Sequence, residues 1–292
     1  MKILISILFL INIVYAQTNI VVSILPQQTF VEKIGGDKVK VSTMVKPGSD
    51  PHSYEPKPSQ MQDISNANIY FPIGLEFEAT WLDKFADQNK NMKFVEMTKD
   101  VQYIEMKEHD HHHDEHEHHE ENHENEEDKH HGKDPHTWVS PSNVKIMAKN
   151  IYDTLVEVDP SNKEYFEKNY SKFIEEINQT DKKIKEILSV LPENSKFMVF
   201  HPSWRYFANE YNLIQLAIEV EGKEPKPKVL QKIIDEAKEE NVKAIFTQAE
   251  FSDKSAKTIA SELKIKVLKE TPLAKDWSEN LIKMANAIAN NK

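Results

Sequence analysis

The sequence of 292 residues contains no cysteine and only six glycines. The absence of cysteine excludes a disulfide scaffold, a thiolate metal site, a cysteine nucleophile and a lipid-anchored N-terminal cysteine, although it does not fix the redox compartment. Three catalytic motifs are also missing, because there is no H-E-x-x-H helix, no G-x-S-x-G turn and no glycine-rich phosphate loop. These absences argue against an enzyme.

The net charge of −11 comes from one part of the chain. Residues 108–128 contain 11 acidic residues and no lysine or arginine, and the rest of the chain balances 37 acidic against 37 basic residues. No basic stripe is present, so the composition gives no support for nucleic-acid binding. The length allows one large or two ordinary α/β domains.

The first 16 residues have the pattern of an export signal. Lys2 precedes an apolar run over 3–14, and the small Ala16 precedes the polar Gln17. The run is short for a membrane span, which needs ~20 residues. We therefore expect a cleavable signal peptide over 1–16 and a soluble, periplasmic mature protein.

Residues 107–134 contain no apolar side chain. A segment that cannot bury apolar surface is predicted to be a disordered loop. Ten of the 13 histidines lie in this His/acid-rich tract, at 109, 111, 112, 113, 116, 118, 119, 123, 130 and 131. Imidazole suits zinc, copper, nickel and iron, so the tract is interpreted as a metal collector, with a merely solvating polar loop as the alternative.

Three histidines remain outside the tract: His52, His136 and His201. A lone histidine is usually structural, but His52 follows the apolar stretch 39–45 and His201 ends the apolar run 197–200. Open α/β sheets place their sites at the C-terminal ends of strands. Three histidines with one open position are also a known zinc arrangement.

Predicted strands alternate with predicted helices, which is typical of parallel sheets covered on both faces. The strands are predicted at 19–25, 39–45, 69–73, 93–97, 196–200, 213–220, 242–247 and 265–268. A helix over 162–189 would span ~40 Å, either as a packing helix or as a strut between lobes. The predicted fold class is α/β, with two lobes, each a parallel-type sheet flanked by helices, joined by one long rigid helix.

The predicted domains follow from this alternation. An N-terminal α/β lobe covers 17–141 and contains the tract, connecting helices cover 142–190, and a C-terminal α/β lobe covers 191–292. His52 and His136 then precede the strut and His201 follows it. This division indicates a site between the lobes, a common location for ligand binding.

Four segments in this order carry a family resemblance: PHSYEP at 51–56, DPHTW at 134–138, HPSWRYF at 201–207 and EVEGKEP at 219–225. The first three are similar to the ligand loops of the zinc- and manganese-binding proteins that deliver metal to ABC transporters, the cluster A-I class of solute-binding proteins. Zinc binders of that class carry a His-rich insertion before the second loop, as this chain does. The resemblance covers essentially the whole mature chain and implies two α/β lobes joined by one long helix.

The resemblance implies that His52, His136 and His201 are the metal ligands and that the transported ligand is Zn²⁺. Manganese-type members have a carboxylate in the third position, so His201 favours zinc. The implied function is capture of zinc outside the cytoplasm and delivery to a membrane permease of an ABC transporter. We expect a monomer with no nucleic-acid partner and no enzymatic activity.

The fourth ligand stays open at this stage. Thr271 stands where the family often has an aspartate, which leaves water, Glu250, Glu270 or a tract histidine as candidates. Glu55 is a candidate to orient a ligand or a plain surface residue. Three aromatic residues flank the ligands and either wall the site or fill the core: Trp138, Trp204 and Tyr206.

Three other functions are kept as alternatives. One is the same fold tuned to manganese, iron or nickel, and another is a metal buffer or surface adhesion protein without a transporter. The third is a zinc hydrolase with a three-histidine centre, which is disfavoured because no recognised motif supplies a general base.

Overall fold

The computed structural model describes residues 17–105, 132–220 and 222–290. The predicted signal peptide over 1–16 lies outside these residues. So does the part of the His/acid-rich tract from 107 to 131, which carries all ten of its histidines.

The N-terminal half forms a four-stranded parallel sheet in the order β2-β1-β3-β4. Its strands are β1 (Thr18–Val22), β2 (Val39–Thr43), β3 (Ile69–Phe71) and β4 (Lys93–Phe94). The helices that follow its first three strands are α1 (Leu25–Gly35), α2 (Pro58–Asn66) and α3 (Glu76–Gln88). The two central strands are the apolar ones, which fits a sheet covered on both faces.

Two consecutive helices, α4 (Pro141–Val158) and α5 (Lys163–Leu188), connect the halves. The Ser140 hydroxyl caps α4 by accepting a hydrogen bond from the backbone N–H of Asn143 at 3.1 Å. The helix α5 has 26 residues. It buries one stripe at helical spacing, formed by Phe166, Phe173, Ile177, Ile184 and Leu188. The predicted long connecting helix is confirmed.

The C-terminal half repeats the same topology, with a parallel sheet in the order β6-β5-β7-β8. Its strands are β5 (Ser195–Val199), β6 (Leu213–Ala217), β7 (Ala244–Thr247) and β8 (Lys266–Lys269). Its helices are α6 (Arg205–Glu210), α7 (Pro227–Glu239), α8 (Lys254–Leu263) and α9 (Trp277–Ala289). The predicted fold class, two parallel sheets flanked by helices, is therefore confirmed.

Five predicted strands, β1, β2, β3, β4 and β6, end two or three residues earlier than expected. In β1 and β3 the reason is that a side chain accepts the backbone hydrogen bonds beyond the strand end. The Oε1 atom of Gln27 accepts hydrogen bonds from the N–H groups of Ser23 and Ile24, so β1 ends at Val22 rather than at 25. The carboxylate of Glu78 likewise accepts from the N–H groups at 73, 74 and 75 and ends β3 at Phe71. Both turns lie at the C-terminal edge of the sheet.

One hydrophobic cluster runs through both lobes. At its centre the ring of Phe30 on α1 lies 5.7 Å from that of Phe173 on α5 and 5.6 Å from that of Trp277 on α9. The two lobes therefore share one hydrophobic core and are not joined only by a flexible linker. Among the described residues, no helix combines the length and apolar character needed to cross a membrane.

Candidate metal centre

The structure brings His52, His136 and His201 together at the C-terminal edges of the two sheets. His52 lies in the loop after β2, His136 lies five residues before α4, and His201 lies two residues beyond the end of β5. The Nε2 atom of His201 is 3.0 Å from Nε2 of His52 and 3.3 Å from Nε2 of His136. All three candidate ligand atoms lie within 4.8 Å of one another.

Each of these histidines has a carboxylate on its other ring nitrogen. Nδ1 of His52 lies 2.6 Å from Glu76. Nδ1 of His136 lies 2.8 Å from Asp134, and Nδ1 of His201 lies 2.9 Å from Glu219. A carboxylate accepts and cannot donate, so Nδ1 carries the proton and each Nε2 presents a lone pair to the centre. This is the arrangement that orients histidines toward a metal ion.

Local backbone contacts fix each histidine further. Asp50 accepts a hydrogen bond from the N–H of His52 at 2.9 Å, and Asp134 accepts one from the N–H of His136 at 3.0 Å. In both loops an aspartate two residues before the histidine closes the turn. The buried side chain of Gln248 donates to the carbonyl of His201 at 2.9 Å.

The three histidines differ in their access to solvent. The exposed fraction of the side chain is 24% for His52, 6% for His136 and 11% for His201. The supporting carboxylate of His52 is also the open one, since 54% of the Glu76 side chain is exposed. The His52 side of the centre is therefore the route between the cavity and bulk solvent.

Burial and charge shift the protonation equilibria in opposite directions. Burial lowers the pKa of His201, and its hydrogen bond to Glu219 offsets only part of this effect. Burial also lowers the pKa of His52, but the hydrogen bond to Glu76 and the negative charge of Glu76 outweigh it and raise that pKa above 6.5. Burial raises the pKa of Glu76, yet the contact with His52 brings it down to about 2.

The histidines enclose a cavity of about 10 Å³. A volume of this size holds about one water molecule or one ion. Its wall includes Pro51, Trp138, Gln248, Glu250, Phe251 and Leu273. The ring of Phe251 stacks on that of His201 at 4.7 Å, and the buried Trp138 ring lies 5.2 Å from that of His136.

The open candidates for a fourth ligand occupy different places. Glu250 lines the cavity and is half-buried, and its Oε1 lies 3.5 Å from the Thr271 hydroxyl. Glu270 is outside the cavity wall and pairs with Lys283 at 2.9 Å. The tract histidines lie outside the described residues.

Of the three aromatic residues that flank the histidines in sequence, only Trp138 lines the cavity. Its ring N–H donates to the carbonyl of Pro272 at 2.9 Å, and its own carbonyl accepts from the ring N–H of Trp277 at 2.7 Å. Trp138 therefore lines the site. Its two hydrogen bonds also hold the segment that contains His136 against Pro272 and Trp277. Trp204 is a core residue with no exposed surface.

Five residues that hydrogen-bond to the histidines were not predicted to do so from the sequence: Asp50, Glu76, Asp134, Glu219 and Gln248. Glu55 is exposed, and Glu76 takes the position beside His52 that Glu55 was a candidate to fill. For three of them a usable signal did exist, because Glu219 lies two residues beyond β6, Gln248 follows β7 directly and Glu76 begins the helix after β3. Polar residues at the C-terminal ends of parallel strands are candidates for the site in such folds.

Comparisons with known proteins place this chain in a family. The family model described as ZnuA, zinc-uptake complex component A, periplasmic, matches residues 20–291. The high-affinity zinc uptake system protein ZnuA of Bacillus subtilis (strain 168) is 34% identical over 250 residues, which cover 84% of this chain and 75% of that protein. The manganese ABC transporter substrate-binding lipoprotein PsaA of Streptococcus anginosus is 28% identical over 251 residues, covering 81% of this chain and 74% of that protein.

The fold comparison agrees. A crystal structure of ZnuA matches this chain with a TM-score of 0.83 and 42% sequence identity, covering 94% of this chain and 99% of that one. The family match, the relatives and the two-sheet architecture all point the same way. The chain belongs to the ZnuA family, the periplasmic component A of zinc-uptake complexes.

Proposed function

We propose that this chain captures Zn²⁺ outside the cytoplasm through the Nε2 atoms of His52, His136 and His201 and passes the ion to the membrane permease of an ABC-type uptake system. The observation that carries the proposal is the convergence of three imidazoles, each backed by a carboxylate. Tetrahedral zinc with bonds of ~2.0 Å holds its ligand nitrogens roughly 3.3 Å apart. The separations of 3.0 and 3.3 Å fit one such ion.

The donor set favours zinc over harder cations. Magnesium and calcium require oxygen ligands, and manganese is also better served by carboxylates than by three imidazoles. Here the carboxylates Glu76, Asp134 and Glu219 lie behind the rings, where they offset the positive charge of the ion without entering its coordination sphere. Copper binds nitrogen sites at least as tightly by the Irving–Williams order, so delivery of zinc rests on which metal is available.

A manganese carrier of the same fold is the main alternative, because the PsaA relative is named as a manganese-transporter protein. The absence of any carboxylate among the converging ligand atoms of the described residues speaks against it. A hydrolase is disfavoured because the sequence has no recognised motif that supplies a general base beside the histidines.

The shared core suggests how zinc is released. Two lobes packed through one continuous hydrophobic cluster resist a wide hinge motion, because close-packed interiors transmit rather than absorb displacement. We propose that small tilts and shifts of the exposed His52 loop open the site toward the permease. The division into lobes over 17–141 and 191–292, joined by helices over 142–190, is part of this proposal.

Two further parts of the proposal concern residues outside the described ranges. Residues 1–16 serve as a cleavable signal peptide that delivers a monomeric protein to the periplasm. The ten histidines of the tract collect zinc at low affinity near the tight site.

Zinc uptake by cells tests the transport function. Cells that lack their own copy of this gene receive the wild-type chain, His136→Ala or the matched control His123→Ala, and uptake of radioactive zinc is measured under zinc scarcity. We expect uptake with the wild type and the control, and almost none with His136→Ala. Restoration of manganese uptake instead, or equal zinc uptake by all three strains, contradicts the proposal.

A further inference from the structure

The chain carries a single arginine, Arg205, among 37 basic residues. It is the first residue of α6 and lies four residues after His201. Arginine differs from lysine in presenting a planar fork of donors that can hold two acceptors in fixed geometry. The contacts of Arg205 show which acceptors its guanidinium faces.

The guanidinium of Arg205 spans two segments of the N-terminal half. Its Nη1 donates to the carbonyl of Glu105 at 3.0 Å, and its Nε lies 4.0 Å from Oδ2 of Asp134. The next residue, Tyr206, holds the same segments, because its hydroxyl donates to the carbonyl of Asp134 at 2.8 Å and accepts from the N–H of Ile104 at 3.0 Å. These contacts tie α6 to the paired backbones at 104–105 and 133–134.

Asp134 connects the contacts of Arg205 and Tyr206 to the metal centre. Its Oδ1 accepts both the N–H and the Nδ1–H of His136, while its Oδ2 faces Arg205. Only 2% of its side chain is exposed. A carboxylate removed from water to this extent is costly unless a cation and hydrogen bonds compensate it.

The other two supporting carboxylates lack such a partner. Among the described residues, the ion pairs of Glu76 and Glu219 are with their own histidines alone. Glu76 is mostly exposed and needs no further cation. Glu219 is buried as well, and its Oε2 has no hydrogen-bond partner among the described residues. Of the three supporting carboxylates, Asp134 is therefore the one with a fixed positive charge beside it.

We propose that Arg205 is a positioning residue that holds Asp134, and through it the His136 imidazole, in the geometry that binds zinc. The segment 201–206 then supplies one ligand, His201, and also sets the position of the neighbouring ligand. This inference rests on the proposed zinc function. It extends the machinery beyond the residues that touch the ion or its histidines.

The first test compares single variants of the full mature chain. Zinc affinity is measured in competition with a chelator strong enough to keep weaker sites empty. Arg205→Gln is expected to weaken binding about tenfold, the usual scale for groups that orient metal ligands. Arg205→Lys keeps the positive charge but not the planar guanidinium. Its zinc affinity is expected to lie between that of the wild type and that of Arg205→Gln. Lys133→Gln removes the same charge from a side chain that lies over the Tyr103 ring, and it is expected to bind as the wild type does.

A double-mutant cycle then shows whether Arg205 acts through Asp134. If it does, Arg205→Gln has little further effect on zinc affinity in an Asp134→Asn background, because the carboxylate it holds is gone. The melting temperature of each metal-free variant is measured alongside. Full additivity of the two substitutions overturns the inference, as does equal weakening by Arg205→Gln and Lys133→Gln.

Failure of the broader proposal has a different signature. A wild-type chain with no tight zinc site contradicts the zinc function itself. A wild-type chain that binds zinc tightly, beside an Arg205→Gln variant of the same affinity, contradicts only the role of Arg205.

Discussion

The Nε2 atoms of His136 and His201 lie 3.3 Å apart while both rings direct their Nδ1–H groups to carboxylates. The two facing nitrogens are therefore both acceptors, with no proton to join them. Such a pair is unfavourable until a cation enters between the rings. A cation bound by both Nε2 atoms removes this repulsion.

Zinc is accordingly expected to stabilise the folded state. A ligand present at about 1,000 times its Kd adds roughly 4 kcal/mol to the free energy of unfolding, which for a chain of this size raises Tm by ~10 °C. Calorimetry with and without zinc measures the shift. It should largely disappear in His201→Ala and persist in His123→Ala. An equal shift in both variants places the stabilising site elsewhere.

Zinc affinity should fall as the pH is lowered, because protons and zinc compete for the imidazoles. The pKa of His52 in the metal-free protein is raised above 6.5, so the decline begins above that pH and approaches tenfold per pH unit below it. His201 has a lowered pKa and takes up its proton only at lower pH. Zinc titrations between about pH 5 and 8 measure the profile.

Glu76→Gln changes that profile in a defined direction. Glu76 makes the largest contribution to raising the pKa of His52, ahead of the charges of Asp50 and Glu219. Removing its carboxylate therefore moves the onset of the decline to lower pH. Affinity at high pH also drops, because the imidazole loses its orienting partner. An onset that does not move shows that Glu76 has no control over the proton on His52.

Glu250 is expected to contribute to zinc binding as the carboxylate on the cavity wall. If Glu250 orders a water on the ion or binds the ion itself, Glu250→Gln should weaken zinc binding by about tenfold. Glu270→Gln is the matched control, because Glu270 pairs with Lys283 away from the cavity. Isothermal titration of both variants decides the matter. If Glu250→Gln and Glu270→Gln bind zinc equally tightly, Glu250 does not contribute to binding, and water is left as the fourth ligand.

Deletion of residues 109–131 should lower the number of zinc ions bound without changing the tight site. The tract is expected to bind zinc weakly, whereas His52, His136 and His201 are each held by a carboxylate. Growth on scarce zinc should also decline, because less metal is collected near the site. Unchanged stoichiometry together with unchanged growth contradicts the collector role.

Much of this architecture was readable from the sequence. Alternating strands and helices predicted both parallel sheets, and a 28-residue amphipathic stretch predicted α5 nearly to its ends. The positions of His52, His136 and His201 stood out because every other histidine lies in the tract. Two of the three follow buried strands, which is where such sheets place their sites.

Other features depend on contacts between distant residues. Glu76 and His52 are 24 residues apart, and His201 and Glu219 are 18 apart. No local sequence pattern predicts the contact between His52 and Glu76 or between His201 and Glu219. The strand ends were misjudged for a related reason, since the side chains of Gln27 and Glu78 take backbone hydrogen bonds that propensity assigns to a continuing strand. Arg205 could be noted as the lone arginine, but its partner Asp134 emerges only from the fold.

The most direct test of the account is a competitive zinc titration of the mature protein lacking residues 109–131, beside the same protein with His201→Ala. The account predicts one tight zinc site that is strongly weakened by the substitution and is not displaced by excess manganese. Absence of a tight site in the shortened protein, or a tight site indifferent to His201→Ala, means that zinc is not bound by His52, His136 and His201.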